Sequence, residues 1–396
     1  MKVDVYGHEK RFMKWKEEIV VEGETDLTKV NSDILIQYIL DMEVGRNISR
    51  QSKRGARSYI RLNALRHRVS KVFRLLQDRG VVDVRRVTED ETVKLFHDFE
   101  KGVIKTLKGE KYKSVCDYAR CFKAFWHWWM KVNRKQGVRI DDITEEINTA
   151  ESEQPKFVYL TKENVEALME YCSPDHQVLL MFLFDSIIRS PTESLSLQVK
   201  HVYEKEGEVW ITIPDDISKT FGRMFNLLYS GEMLLKYITR NNLQPEDHLF
   251  SYSPHVMNRQ LKVIATQIFG NNFSHPQGNP YRMLSLYDFR HSGTIHFRQL
   301  AKDNPGQISL DAIRHRGGWT DFKMLNYYTR FIGLDGRIEK QGMLLRQDKH
   351  KLERELEDLK IEFSKIKELN EKILQAAQAG VINSHNSKEP FTAQVA

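Results

Sequence analysis

Apolar residues recur at helical spacing through most of the first 135 positions. Ile34, Leu35, Tyr38, Ile39 and Met42 predict a helix over 32–44. Ile60, Leu65, Val69, Val72, Phe73 and Leu76 form the stripe of a second helix, and most of its arginines fall off that stripe. Thr88 is placed to cap a third helix running to about 105 through Val93, Phe96, Phe99 and Val103. A fourth, over roughly 111–133, carries Val115, Tyr118, Phe122, Phe125, Trp126, Trp129 and Val132. That aromatic load reads as core rather than as a surface for stacking bases. Together these helices predict a small all-α domain over 31–150, preceded by a polar arm or cap over 1–30 in which Glu17, Glu18, Glu22 and Glu24 crowd together.

The polar run from Glu151 to Lys156 reads as an interdomain linker. Beyond it, Thr161 is an N-cap before Val165, Leu168 and Met169, and Val178 to Ser186 is apolar enough to be a buried helix ending near Arg189. Alternation over 208–213 predicts a strand and the region from Arg223 to Leu228 a second, with Lys219 between them. Helices follow around 232–240, 254–268, 288–301, 309–316 and 321–329. The expected fold class is therefore mainly α with a small antiparallel β-sheet, the second domain spanning 156–335. From about 344 the chain turns to Lys, Glu and Leu. Leu352, Leu356, Leu359, Phe363, Ile366 and Ile373 keep a 4-3-4-3 spacing with Asn370 in the seam. Over 336–379 this reads as a coiled-coil helix, or else as one amphipathic helix folded onto its own domain. Residues 380–396 have the composition of a disordered tail.

The chain has 396 residues, 40% hydrophobic and 29% charged, enough for two or three cores. No long apolar run predicts a membrane span, and Cys116, Cys121 and Cys172 lack metal-ligand spacing, so a reduced, cytoplasmic protein is expected. The net charge of +7 permits a polyanionic partner. Its distribution says more. Arg46, Arg50, Lys53, Arg54, Arg57, Arg61, Arg66, Arg68, Lys71, Arg74 and Arg79 fall within one stretch whose only acid is Asp78, the footprint of phosphate contacts.

Candidate chemistry gathers toward the C-terminal third. Arg290 stands in Tyr287-Asp288-Phe289-Arg290-His291, Trp319 follows Gly318, and Tyr328 lies nine positions further on (328 − 319). Upstream, Arg189 opens Arg-Ser-Pro-Thr-Glu with Glu193 as its acid, and Lys219 precedes Thr220 and Gly222. Breaking a phosphodiester without metal requires fixed cations aimed at oxygens whose charge grows in the transition state. Arginine suits that task because its planar, permanent cation bonds two oxygens at once. A tyrosine nucleophile must shed a proton, which nearby cations favour, and the leaving 5′-oxygen needs one, which a lysine can deliver. Lys200 and Lys205 rival Lys219 for that role, and Tyr327 rivals Tyr328.

Over about residues 30–335 the chain resembles the tyrosine recombinases of the phage-integrase family. Arg189 matches the first-arginine box, with one residue more than the common Arg-x-x-Glu; Arg290-His291 matches the second box; Trp319 stands where the family has His or Trp. Tyr287 replaces the first His of His-x-x-Arg, as in archaeal integrases of mobile elements. The resemblance implies a two-domain clamp on double-stranded DNA, assembling as a tetramer, with no cofactor and no metal. Catalysis would fall to Tyr328, Arg189, Arg290, Lys219, Tyr287 and Trp319, supported by Glu193 and His291. A phenol at 287 can donate to phosphate but is a poorer base than imidazole, which leaves His291 or the cations alone to activate the phenol at 328. Site-specific recombination is the implied activity. A type IB topoisomerase and a non-catalytic DNA-binding descendant are the alternatives.

Overall fold

The structure is a computed structural model that describes residues 3–48, 54–150, 156–304, 308–333, 355–368 and 370–372. It is mainly helical with one small antiparallel sheet. The first core gathers residues between Phe12 and Ile147 and is built from α1 (His8–Glu22), α2 (Lys29–Val44), α3 (Tyr59–Gln77), α4 (Glu89–Lys101) and α5 (Val115–Lys135). Thr88 and Glu91 close a capping box on α4, which stops at Gly102 in the left-handed region, short of the expected 105. Phe122, Phe125 and Trp126 of α5 are buried as core, Phe125 meeting Phe73 of α3 edge-on at 4.9 Å. The indoles of Trp126 and Trp128 reach polar partners, the Asp141 carbonyl and the Asp41 carboxylate.

Two sequence expectations change here. Within the supposed polar arm, His8–Glu22 is helix α1, and its Phe12, Trp15 and Ile19 are buried in the first core, facing α3. Conversely, Ile60, Val93 and Val103 lie outside the core, at 56%, 36% and 68% exposure.

The second lobe contains α6 (Lys162–Met169), α7 (Pro174–Ser186), α8 (Thr192–Ser196), β1 (Val202–Lys205), β2 (Glu208–Ile213), β3 (Arg223–Asn226), α9 (Gly231–Arg240), α10 (Pro254–Phe269), α11 (Leu286–Asp303), α12 (Leu310–Gly317) and α13 (Lys323–Gly333). The strands run in the order β1-β2-β3, all antiparallel, with Ile211 opposite both Val202 and Phe225. Strand β2 buries Val209, Ile211 and Ile213 and turns its alternate residues outward. β1 and the short α8 are absent from the sequence reading.

Helix α7 is buried on every side from Val178 to Ser186 and packs along α11. The two backbones approach so closely at Gly293 that an added Cβ would lie 2.0 Å from the Phe184 carbonyl oxygen. The N-terminal stretch touches this lobe as well: the Val3 amide donates to Ser196 Oγ at 2.9 Å, and the Tyr6 ring meets His255 edge-on. Among the described residues no helix is long and apolar enough to cross a membrane. Of the expected linker from Glu151 to Lys156 only Lys156 is among the described residues, and the tail over 380–396 lies outside them.

Candidate active site

Helix α7 ends at Ile187, a fully buried β-branched residue held in the left-handed region at φ 47°. Such a residue costs roughly 1–2 kcal/mol there, so the turn has to be held by its surroundings. One restraint is visible: the Ile187 carbonyl accepts from Arg290 Nη1 at 2.5 Å. Two residues on, Arg189 sends Nη1 to Glu193 Oε1 (2.9 Å) and Nη2 to the Gly318 carbonyl (3.0 Å). Glu193 is 1% exposed and is shared with a second, buried guanidinium, Arg223 on β3, whose Nη2 donates to Oε2 at 2.8 Å. Burial pushes the Glu193 carboxyl up, but Arg223 and Arg189 outweigh it and hold the group below its ordinary value.

Arg290, on α11, is buried. Its Nη2 donates to the Gly317 carbonyl at 2.7 Å and its guanidinium lies 4.7 Å over the Trp319 ring. Burial, aided by the charge on Arg189, lowers it to about 10, which leaves a cation at neutral pH. Two arginines 101 positions apart (290 − 189) thus end on the carbonyls of two consecutive glycines, Gly317 and Gly318. The glycines are needed at this corner. A Cβ on Gly317 would lie 2.3 Å from the Trp319 ring, and Gly318 sits at φ 63°.

Tyr328, on α13, is fully buried in a small core with Phe157, Ile187, Ile295, Phe297, Ile313, Trp319 and Leu325. Its ring lies 6.0 Å from Trp319, and its hydroxyl is 2.5 Å from His291 Nδ1. Burial raises the phenol above its ordinary value; Arg290 opposes this, while Tyr287 and Tyr327 add to it. Burial, and then the charge of Arg290, holds His291 down to about 3. A protonated phenol therefore faces a neutral imidazole, and the phenol donates to Nδ1 when the imidazole proton is on Nε2. Tyr287 is 44% exposed and touches His291 edge-on, with ring centres 4.9 Å apart. Tyr287, His291, Lys156, Lys323 and Tyr327 line an adjacent cavity of about 650 Å³.

Lys219 is exposed between β2 and β3. Its neighbour Thr220 donates from Oγ1 to the same Gly318 carbonyl that accepts from Arg189, at 2.8 Å, which tethers the lysine-bearing loop to the arginine corner. Of the basic stretch, Arg46, Arg54 and Arg61 are exposed and Arg57 is half-buried, whereas Arg50 and Lys53 lie outside the described residues. Its C-terminal part is committed elsewhere. Arg68 pairs with Asp117, Arg74 with Asp26 and Arg79 with Asp98, and Arg66 lies over the Trp15 ring. These four therefore have partners within the protein.

Sequence reasoning missed Arg223. It also missed a buried pair behind the hairpin, in which Asp185 accepts from Arg316 Nη2 at 3.2 Å and from the amides of Tyr229 and Ser230. A lone Arg or Asp with partners 30 or 131 positions away leaves no periodic signal in the chain.

No family model and no curated protein matches the chain. Solved structures do. One similar structure is the XerH site-specific recombinase bound to palindromic difH substrate in a post-cleavage complex, with TM-score 0.52 and 14% identity over 72% of this chain and 80% of that one. Another is a lambda integrase tetramer bound to a Holliday junction, with TM-score 0.51 and 12% identity over 79% of this chain and 80% of that one. At these identities the likeness is one of fold.

Proposed function

We propose that this chain, which has the fold of the tyrosine recombinases, is a site-specific DNA recombinase that breaks and rejoins strands without metal or nucleotide. The Tyr328 phenol attacks the scissile phosphorus and passes its proton to His291 Nδ1. The bond from phosphorus to the 5′-oxygen breaks, Lys219 protonates that oxygen, and a 3′-phosphotyrosine link and a 5′-hydroxyl result. Attack by a 5′-hydroxyl from another strand reverses the step and conserves the bond energy.

The observation that carries this reading is the meeting of Arg189 and Arg290 on adjacent carbonyls beside Trp319, with the Tyr328 ring 6.0 Å further on. In the DNA-free chain those carbonyls take the donors that a phosphate would take. Two anionic oxygens are stronger acceptors than two amide carbonyls, so DNA displaces them. The incoming negative charge also raises the proton affinity of His291, which turns a resting hydrogen bond into a base. Trp319 walls the phosphate and Tyr287 borders its approach. Glu193 fixes Arg189 from behind. Arg46, Arg50, Lys53, Arg54, Arg57 and Arg61 neutralise backbone phosphates from the helical lobe, the two lobes close on duplex DNA as a clamp, and four copies join two duplexes.

Incubation with nicked duplexes drawn from the DNA flanking its gene tests the reading. The chain yields an SDS-resistant adduct, and Tyr328→Phe binds the same DNA without one. An adduct that persists in Tyr328→Phe contradicts the assignment. Relaxation of any supercoiled plasmid, without site dependence, points to a topoisomerase instead.

A further inference from the structure

The helical segment over 355–368 and 370–372 is exposed at every described position, so its apolar residues have no cover from either lobe. Leu356, Leu359, Phe363 and Ile366 stand at 56%, 63%, 72% and 56% exposure. The alternative of a helix folded back on its own domain is therefore not what the described residues show. The four repeat at helical spacing on one stripe. In heptad terms Leu356, Phe363 and Asn370 are a positions and Leu359 and Ile366 are d positions. The sequence pattern extends to Leu352 and Ile373, which lie outside the described residues.

The flanking charges identify what covers the stripe. Glu355 and Glu362 occupy g positions, and Lys360 and Lys367 occupy e positions. In a parallel, in-register pair each g residue meets the e residue five places on in the partner helix. Glu355 then faces Lys360 and Glu362 faces Lys367, each twice by symmetry. An antiparallel pair sets g against g and e against e, which matches Glu with Glu and Lys with Lys. Asn370 bonds its own counterpart only when the two helices are parallel and in register. A polar a residue of this kind fixes register and strand number at some cost in stability.

We propose that this segment binds a second copy of the chain as a parallel, in-register, two-stranded coiled coil. It joins two copies independently of DNA, and so brings two catalytic lobes together before or during synapsis. The proposal does not depend on the chemistry assigned to Tyr328.

The test uses the full chain without DNA, with mass followed by light scattering across a concentration series. The wild type is dimeric. Lys360→Glu with Lys367→Glu turns all four cross-pairs repulsive and weakens association about a hundredfold. Adding Glu355→Lys and Glu362→Lys to that variant restores the dimer. These positions are exposed, so folding is not at issue. Asn370→Cys, oxidised, gives a disulfide-linked dimer that the wild type with its own three cysteines does not give. A monomeric wild type, a mass above the dimer, indifference to charge reversal, or failure of the Asn370→Cys link would each overturn the proposal.

Discussion

Replacing Gly293 by alanine probes the packing on which the candidate site rests. The added Cβ would lie 2.0 Å from the Phe184 carbonyl oxygen and 2.8 Å from Ile187 Cγ2. A backbone carbonyl cannot rotate away, so α7 and α11 must separate by about 1 Å or more to reach ordinary van der Waals contact. Overpacking of this kind costs about 3 kcal/mol at the upper end of its usual range. Alanine returns about 1 kcal/mol of helix propensity over glycine, which leaves a net loss of about 2 kcal/mol. The same separation pulls Arg290 from the Ile187 carbonyl, a 2.5 Å bond that does not survive an added ångström. If Arg290 holds the scissile phosphate as proposed, misplacing it by that much slows chemistry by about 100-fold. Urea denaturation reads the first effect, and single-turnover adduct formation on a nicked duplex reads the second. A Gly293→Ala variant with wild-type stability and wild-type adduct rate would refute the packing argument.

Other outcomes follow from the same geometry. Arg223→Met leaves Glu193 buried without its main partner and lowers stability by about 3 kcal/mol, measured by urea denaturation; a loss below about 1 kcal/mol counts against it. Because folding depresses His291 from 6.5 to about 3, the unfolded chain takes up this proton first, so the contribution is intact above 6.5 and drains away as pH falls toward 3. By pH 5 the wild type should have lost up to about 2 kcal/mol more than His291→Gln has, less in proportion to the part of the ring that remains at the surface; parallel urea curves for the two chains would sink the idea. Lys219→Ala slows cleavage of an ordinary strand by about 100-fold or more and recovers on a substrate with sulfur as the bridging 5′ atom, which leaves unprotonated; no recovery removes the lysine from that role. Arg54→Gln with Arg61→Gln weakens binding to all duplexes alike and reduces the log-log salt slope by about 2, followed by fluorescence anisotropy; an unchanged slope places these residues off the phosphates.

What was legible in the chain is what repeats or keeps a fixed local spacing. The stripes of α2, α3 and α5, the Thr88 and Thr161 caps and the buried run of α7 all announce themselves within one or two helical turns. Helix α1 carries the same kind of stripe in Phe12, Trp15 and Ile19, but it is short and sparse, and the exposed Glu17 and Glu18 dominate the impression of a polar arm. Strand β1 buries none of its four residues fully, so it carries no alternation to detect. Arg68 and Arg74 of α3, and Arg79 just beyond it, looked free since their acids, Asp117, Asp26 and Asp98, come from other parts of the chain. At the site, residue types and order pointed to Arg189, Arg290, Trp319 and Tyr328, but not to the state in which they rest. That the phenol is buried against His291, and that both guanidiniums bond glycine carbonyls, depends on how α7, α11, α12 and α13 meet. No local pattern encodes that meeting.

The central claim is that two distant guanidiniums serve one phosphate within reach of the hydroxyl at 328. Digesting the covalent protein–DNA adduct with protease and sequencing the DNA-linked peptide by mass spectrometry tests it most directly. The account predicts a strand end joined through its 3′-phosphate to Tyr328. Attachment at Tyr327 or Tyr287, or through a 5′-phosphate, would contradict it.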